Sequence, residues 1–185
     1  MRAIDIFLLV AFILIALLVI YYIYKQVIWS KINKYYAFAK FNDALNEINK
    51  LYKFSTPLIR KKMIVYKTSC LLLLDKRNEF LETLEQINKN SIKYGQYYYY
   101  YKLAYMLKVE KYKEAELIYS TLTKKFRVDK DLDLVTPLAI MLANKGDKKG
   151  FTKLRELKRN NHIDITFIEV ANDYIRKHKN DGNFN

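Results

Sequence analysis

A single stretch near the start of the chain restricts what this protein can fold into. From Ile6 to Tyr24, nineteen residues pass without a charged side chain, an amide, a glycine or a proline. An α-helix rises about 1.5 Å per residue, so this run spans about 28 Å, close to the roughly 30 Å hydrocarbon core of a bilayer. A helix that is apolar on all sides needs burial in protein or in lipid. The run therefore predicts a membrane-spanning helix.

The residues that follow the run favour a permanent anchor over a cleaved secretory signal. A signal has an apolar core of about 7–15 residues and small residues at its cleavage site. Here the run is longer and ends in Tyr21, Tyr22, Ile23 and Tyr24, with Trp29 close behind. Such aromatic side chains are typical of the membrane–water interface. Residues 1–24 are predicted to be an uncleaved anchor, and a cleaved signal is the alternative.

Charges on the two sides of the run predict its orientation. Arg2 and Asp5 precede it and cancel, whereas lysine is the only charged residue type between Tyr24 and Asp43. Basic residues flank the cytoplasmic side of spanning helices. We expect a single-pass protein of the cell membrane whose residues 25–179 form one cytoplasmic domain. Lysine is frequent throughout the chain, which leaves an exported domain as the alternative.

The part of the chain after the anchor carries the net charge. Thirty-three Lys and Arg residues against 19 Asp and Glu residues give a formal charge of +14. This charge favours anionic lipid or an acidic protein or peptide as a partner, although an AT-rich genome would produce the same excess of lysine. Nucleic acid is the least favoured partner, because lysine greatly outnumbers arginine, the preferred reader of phosphates and base edges.

Motifs for catalysis, cofactors and metals are missing from the sequence. The four glycines form no P-loop, GxGxxG or GxSxG motif. His162 and His178 lie sixteen residues apart without a HExxH motif or a cysteine partner. Cys70, the single cysteine, is expected to be a buried apolar residue rather than a reactive thiol. We expect a protein that is not an enzyme and holds neither cofactor nor metal.

A recurring pattern of apolar residues at helical spacing follows the anchor, with no convincing strand. Residues 40–44 and 111–115 share the order basic, aromatic, any residue, acidic, alanine, and residues 76–80 keep part of it. The last positions of these segments, together with Phe151, are spaced by 36, 35 and 36 residues. Such a period is typical of helical-hairpin repeats.

These segments resemble tetratricopeptide (TPR) and related α-helical-hairpin repeats over about residues 25–160. In that family, a small residue such as Ala44 or Ala115 lets the two helices of a hairpin approach closely; Phe80 and Phe151 depart from it. The resemblance implies an all-α fold: a right-handed TPR-like α-solenoid of about four helix pairs. The expected pairs are 25–39 with 41–54, 57–74 with 78–89, 92–108 with 112–126, and 133–144 with 148–160, followed by a capping helix at 163–178 and a disordered tail at 180–185.

Local signals predict how several of these helices begin. Thr56 before Pro57 and Thr136 before Pro137 are expected N-caps, with proline at the first helical position, and Ser91 is a third. No Gly, Pro or Ser-rich linker follows the anchor. We therefore expect the membrane helix to continue into the first helix of the first pair as one rod.

The resemblance also implies a partner-binding groove lined by the first helix of each pair. Five consecutive tyrosines, at positions 97–101, either fill the core or line this groove. The predicted groove residues are Trp29, Asn33, Lys62, Tyr66, Tyr97, Tyr100, Tyr101 and Lys108. Tyr and Trp are frequent interface anchors, and the lysines favour an acidic ligand. The predicted function is a membrane-anchored protein–protein interaction scaffold. The alternatives are a basic domain that lies on anionic lipid, and a structural subunit that assembles with copies of itself or within a membrane complex.

Overall fold

The computed structural model describes residues 3–130, 132–157 and 165–178, and within these ranges it contains helices and turns but no strand. The all-α class is therefore confirmed for the described residues. The backbone forms two compact units, Met1–Arg60 and Lys61–Asn185. The helices are α1 (Ala3–Ala37), α2 (Phe41–Lys53), α3 (Pro57–Leu73), α4 (Arg77–Glu85), α5 (Gly95–Lys108), α6 (Tyr112–Lys125), α7 (Val135–Asn144), α8 (Lys148–Leu157) and α9 (Ile165–Lys177).

Helix α1 is a single uninterrupted rod of 35 residues. At 1.5 Å per residue it is about 52 Å long, roughly 20 Å more than a hydrocarbon core requires. The segment Ile6–Ala37 is long and apolar enough to cross a membrane, and none of its most apolar window is buried in protein. The expected continuation beyond residue 24 is thus present in the backbone. A signal sequence near the N-terminus can meet the same criteria of helix length and composition, which do not depend on the orientation of the helix.

Helix α2 turns back and packs antiparallel on the C-terminal part of α1. At the turn, the rings of Tyr36 and Phe41 meet edge-on with centroids 5.7 Å apart. At the other end of α2, the hydroxyl of Tyr21 donates a hydrogen bond of 2.9 Å to the carbonyl oxygen of Phe54. The apolar face between these contacts is buried and consists of Ile28, Ile32, Phe41, Ala44, Leu45, Ile48 and Leu51. The hairpin therefore extends from residue 38 back to the level of Tyr21.

One turn geometry recurs four times along the chain. Ala39, Asp75, Glu110 and Gly146 have φ angles of 55°, 56°, 62° and 78°, and they are spaced by 36, 35 and 36 residues. In each turn this left-handed residue donates its N–H to the carbonyl three residues earlier, and the next residue donates to the carbonyl five residues earlier. This pair of bonds is the Schellman C-cap. Each turn is followed directly by α2, α4, α6 or α8.

Helix α7 begins with a cap that differs from the expected one. Its first residue is Val135, and the Asp133 carboxylate accepts the N–H groups of Val135 at 2.9 Å and Thr136 at 3.1 Å. Thr136 lies inside the helix and donates its hydroxyl to the same carboxylate. The N-cap position is occupied by Leu134, whose side chain makes no capping hydrogen bond. The Asp133 carboxylate, one residue earlier, accepts two N–H groups of the first turn, so Asp133 rather than Thr136 supplies the capping side chain. Helix α3, by contrast, begins at Pro57 as predicted.

The segment between α4 and α5 is longer than expected. Helix α4 ends at Glu85 rather than near residue 89, and α5 begins at Gly95 rather than at residue 92. The hydroxyl of Ser91 still acts locally, because it accepts the N–H of Tyr94 at 3.2 Å. It caps the turn at residues 92–94 that leads into α5.

Helix α9 packs against α5 and α7. Its Phe167 is fully buried and meets the Tyr100 ring edge-on at 4.9 Å. The hydroxyl oxygens of Thr166 and Ser69, both buried, lie 3.0 Å apart, which connects α9 to α3. The sequence predicted that this helix covers the open end of the last pair, α7 and α8. In the structure α9 contacts α5 and α7, and through Thr166 also α3, which are the first helices of three predicted pairs. The end of the expected helix 148–160 at residues 158–160, the start of the expected capping helix at residues 163 and 164, and the tail at 180–185 lie outside the described residues.

Helices α7 and α8 approach closely at Gly150. A Cβ atom at this position would stand 2.3 Å from the Ala143 nitrogen and 2.7 Å from the Ala139 oxygen, which is too close for any side chain. Phe151, at the position where the TPR family has a small residue, is buried. Its neighbour Gly150 supplies the small surface instead.

We predict that Gly150→Ala lowers the free energy of unfolding by about 2–3 kcal/mol, because the added methyl overpacks the α7–α8 contact. Helix propensity alone predicts the opposite sign, a gain of about 1 kcal/mol. The matched control is Gly146→Ala: this residue has a φ of 78° and open space around it. It should lose about 1–2 kcal/mol, through the left-handed backbone alone. Thermal unfolding of the full chain in detergent measures both. Equal losses would contradict the close approach.

Candidate functional site

The five consecutive tyrosines of α5 enter different environments. Tyr97 and Tyr99 are partly exposed, and Tyr98 is buried. Tyr100 and Tyr101 are core side chains, with 0% and 6% of their surface exposed. The Tyr100 hydroxyl also accepts the N–H of Asp133 at 3.3 Å. The expectation that Tyr100 and Tyr101 line an open groove is therefore corrected, and the cause is α9, which packs on this side of α5.

The other predicted groove residues are spread over several surfaces. Trp29 is partly exposed and Asn33 is exposed, both on α1 in the first unit. Lys62 is exposed and Tyr66 is partly exposed on α3, and Tyr97 lies in the first turn of α5. Lys108, at the C-terminal end of α5, is the predicted residue that lines the cavity described next.

A cavity of about 410 Å³, here called the α9 cleft, opens where α3, α4, α5 and α9 meet. The C-terminal part of α9 contributes Asp173 and Lys177 to its lining. The lining residues are Leu71, Leu72, Asp75, Arg77, Phe80, Tyr105, Lys108, Val109, Asp173 and Lys177. Leu71, Phe80 and Tyr105 are buried, and the rings of Phe80 and Tyr105 lie 5.3 Å apart. The cleft therefore has an apolar floor under a charged rim.

Ion pairs hold two basic side chains of the rim in place. The Lys108 Nζ atom lies 2.6 Å from the Asp75 Oδ1 atom and donates to the Leu72 carbonyl oxygen at 3.0 Å. The Lys177 Nζ atom lies 2.5 Å from the Glu110 Oε1 atom. The hydrogen bond from Lys177 lowers the pKa of the Glu110 carboxyl below its ordinary value, and the positive charge of Lys177 acts in the same direction. Both acidic partners belong to left-handed turn residues, so backbone geometry places the charges.

Arg77 is the basic residue of the rim whose charge is not matched. Its guanidinium carbon lies 6.0 Å from the centre of the Tyr105 ring, a cation–π distance. Asp173, the remaining acid of the rim, pairs with Arg176. Within the described part of the chain, Arg77 forms no ion pair. The cleft thus combines an apolar floor with an available guanidinium, a group that binds carboxylates in a bidentate manner.

Sequence reasoning found Lys108 in this cleft but missed Arg77, Tyr105 and Lys177. The sequence did contain a signal for Arg77. This residue directly follows the turn at residues 74–76, so it begins α4 close to the C-terminal end of α3. The contribution of Asp173 and Lys177 could not be anticipated without knowing where α9 packs.

The cysteine behaves as expected from its sequence context. Cys70 is fully buried in α3, and this burial raises the pKa of its thiol from 9.0 to about 12. The prediction of a buried apolar residue is confirmed. Among the residues whose positions are described, no three His, Cys, Asp or Glu side chains gather in a way that could hold a metal ion.

Comparison with known proteins assigns no family: no family model, no curated protein and no solved structure matches this chain. The TPR resemblance stays a prediction from the sequence.

We predict that Tyr100→Ala lowers the free energy of unfolding by about 3–5 kcal/mol, the loss typical of a truncated buried aromatic ring. Tyr100→Phe should lose only about 1 kcal/mol, because it keeps the ring and removes the acceptor for the Asp133 N–H. Tyr97→Ala, at a partly exposed position on the same helix, serves as the control and should cost about 1 kcal/mol. Near-ultraviolet circular dichroism during thermal unfolding measures all three. An unchanged Tm for Tyr100→Ala would contradict the burial of the Tyr100 side chain in the core.

Proposed function

We propose that this protein is a membrane-anchored adaptor that holds a protein partner at the inner surface of the cell membrane through the α9 cleft. The observation that carries the proposal is the composition of that cleft: an apolar floor, ion pairs that hold its rim in place, and the unmatched Arg77. The cavity of about 410 Å³ falls within the roughly 300–1,000 Å³ of ordinary ligand pockets. It has room for one or two partner side chains.

A right-handed TPR-like α-solenoid of about four helix pairs is part of this proposal. The support is the Schellman turn that recurs at steps of 36, 35 and 36 residues, each time directly before α2, α4, α6 or α8. Stacked helix pairs create extended concave surfaces that bind other proteins. In this chain α9 fills part of that surface by packing on α5 and α7, so the binding site is reduced to the cleft beside it.

The proposed location is the cell membrane, with a single pass through residues 6–24 and the remainder in the cytoplasm. Two observations support it: the apolar window of α1 is not buried in protein, and lysines alone carry charge between Tyr24 and Asp43. Tethering confines the adaptor to a thin layer next to the bilayer. This raises the effective concentration of a partner that is itself bound to the membrane.

The proposed partner presents a carboxylate next to an apolar side chain. The rim has three basic and two acidic lining residues, and both acids already have basic neighbours. The net charge of +14 adds an attraction for acidic segments that acts over longer range. The apolar side chain would contact Phe80 and Tyr105, and the carboxylate would pair with Arg77.

We predict that a photocrosslinking amino acid at Val109, an exposed residue of the cleft, forms a discrete protein adduct in native membranes. Arg77→Glu should abolish this adduct, because it replaces the available cation by a repelling charge. The matched control is Arg127→Glu, the same charge reversal at an exposed residue outside the cleft, which should leave the adduct intact.

A second crosslinker position tests whether the cleft itself is responsible. Leu117 is exposed on α6 and does not line the cleft. It should give no adduct of the same mass. An equal adduct from Leu117, or an adduct from Val109 that persists in Arg77→Glu, would contradict the proposal.

A further inference from the structure

The end of α2 lies beside the last turn of the apolar run in α1. The hydrogen bond from the Tyr21 hydroxyl to the Phe54 carbonyl oxygen joins residues that are 33 positions apart in the chain. Both residues belong to the unit Met1–Arg60. Because α2 runs antiparallel to α1, its N-terminal end is far from the apolar run and its C-terminal end is next to it.

This contact sets the depth of the end of α2. If residues 6–24 occupy the hydrocarbon core, Tyr21 lies about 4–5 Å from the end of the core, at the boundary with the headgroups. Tyrosine side chains prefer this level, where the ring is in the apolar layer and the hydroxyl reaches a polar partner. Here the polar partner is the Phe54 carbonyl, so the residues around Phe54 share the depth of Tyr21.

Two large apolar side chains at this end of α2 are left uncovered by protein. Phe54 is 65% exposed and Leu58 is 68% exposed. Arg60 folds back over the end of α2: its guanidinium carbon lies 5.3 Å from the centre of the Tyr52 ring, and its Nε atom donates to the Tyr52 carbonyl oxygen at 3.3 Å. The segment that follows α2 is thereby held close to that helix.

Basic residues accompany these apolar side chains. Lys53 is exposed in the last turn of α2, Arg60 is partly exposed, and Lys25 follows one turn after Tyr21 on α1. Apolar side chains bordered by Lys and Arg are the composition that binds the interface of an anionic bilayer. Exposure of two large apolar side chains to water is unfavourable. At the boundary between headgroups and acyl chains, the apolar side chains can enter the acyl layer while the basic side chains stay among the phosphates.

We propose that Lys53, Phe54, Leu58 and Arg60 form a second membrane contact, here called the α2 tip, which inserts Phe54 and Leu58 into the lipid interface and places its basic groups among the phosphates. The inference rests on the membrane crossing of α1 that is part of the proposed function. With α1, the α2 tip gives the hairpin two points of attachment. Two attachment points restrict the tilt of the hairpin relative to the bilayer, because tilting α1 would lift the α2 tip out of the lipid interface or push it deeper.

The test uses tryptophan as a depth probe in the full chain, reconstituted into vesicles of phosphatidylcholine and phosphatidylglycerol that contain brominated lipids as quenchers. The chain has one tryptophan, so Trp29→Phe provides an empty background. Into this background go Phe54→Trp at the tip and Leu14→Trp in the middle of the apolar run. The matched control is Phe38→Trp, at a position that is 67% exposed but lies about 25 Å further along the hairpin.

We expect lipids brominated near the headgroup to quench Phe54→Trp several-fold more strongly than Phe38→Trp, with a blue-shifted emission for Phe54→Trp. Lipids brominated in the middle of the chain should quench Leu14→Trp. Quenching of Leu14→Trp without quenching of Phe54→Trp would overturn the α2 tip and leave the anchor intact. Equal quenching of Phe54→Trp and Phe38→Trp would also overturn it. Absence of quenching at Leu14→Trp would overturn both the anchor and the tip.

Discussion

The apolar surface of α1 is the constraint on which the other features depend. Its side chains from Ile6 to Ile20 are largely exposed, and the most apolar window of the helix has no part buried in protein. Fourteen of the nineteen residues in the run are Leu, Ile, Val or Phe. Their transfer into a bilayer is favourable by about 4–8 kcal/mol in total on a scale of 0.3–0.6 kcal/mol per residue. A bilayer would therefore cover an apolar surface that the described part of the chain leaves exposed.

The four recurring turns between helices are formed by Schellman C-cap hydrogen bonds, and only one of them has glycine at its left-handed position. Three of the four left-handed positions hold Ala, Asp or Glu, although an L-residue there costs roughly 1–2 kcal/mol relative to glycine. The Schellman bonds satisfy carbonyls at the end of one helix, and the next helix begins two residues after the left-handed position. Asp75 and Glu110 also use their side chains, since they pair with Lys108 and Lys177 at the rim of the α9 cleft. The same turns thus connect helices and position charge.

Features that depend on neighbouring residues could be predicted from the sequence. The start of α3 at Pro57, the turns before α2, α4, α6 and α8, and the burial of Cys70 all follow from local composition and spacing. The start of α5 was misplaced by three residues, because a serine caps a short turn as readily as a helix. The cap of α7 was placed at Thr136 before Pro137, whereas the helix begins two residues before the proline and its first N–H groups bond to the Asp133 carboxylate.

Features that depend on which distant surfaces meet could not be predicted. An amphipathic pattern shows that α9 has an apolar face, but it does not say that Phe167 will meet Tyr100. The five consecutive tyrosines of α5 gave no periodicity from which to identify its buried face, because they place the same residue type on every side of the helix. The position of α9 in turn decides which residues line the cleft. The small residue between α7 and α8 fell at Gly150, one position before the expected one, because close contact depends on the rotation of the helix.

Alkaline extraction of native membranes tests the central role of α1 most directly. Carbonate at high pH removes peripheral proteins and leaves spanning helices in the bilayer. The prediction is that the chain stays in the membrane pellet, is released only by detergent, and retains peptides from the first 24 residues when it is analysed by mass spectrometry. Recovery in the aqueous fraction of a shorter chain that lacks this segment would show that the apolar run is a removed signal, and it would contradict the anchor.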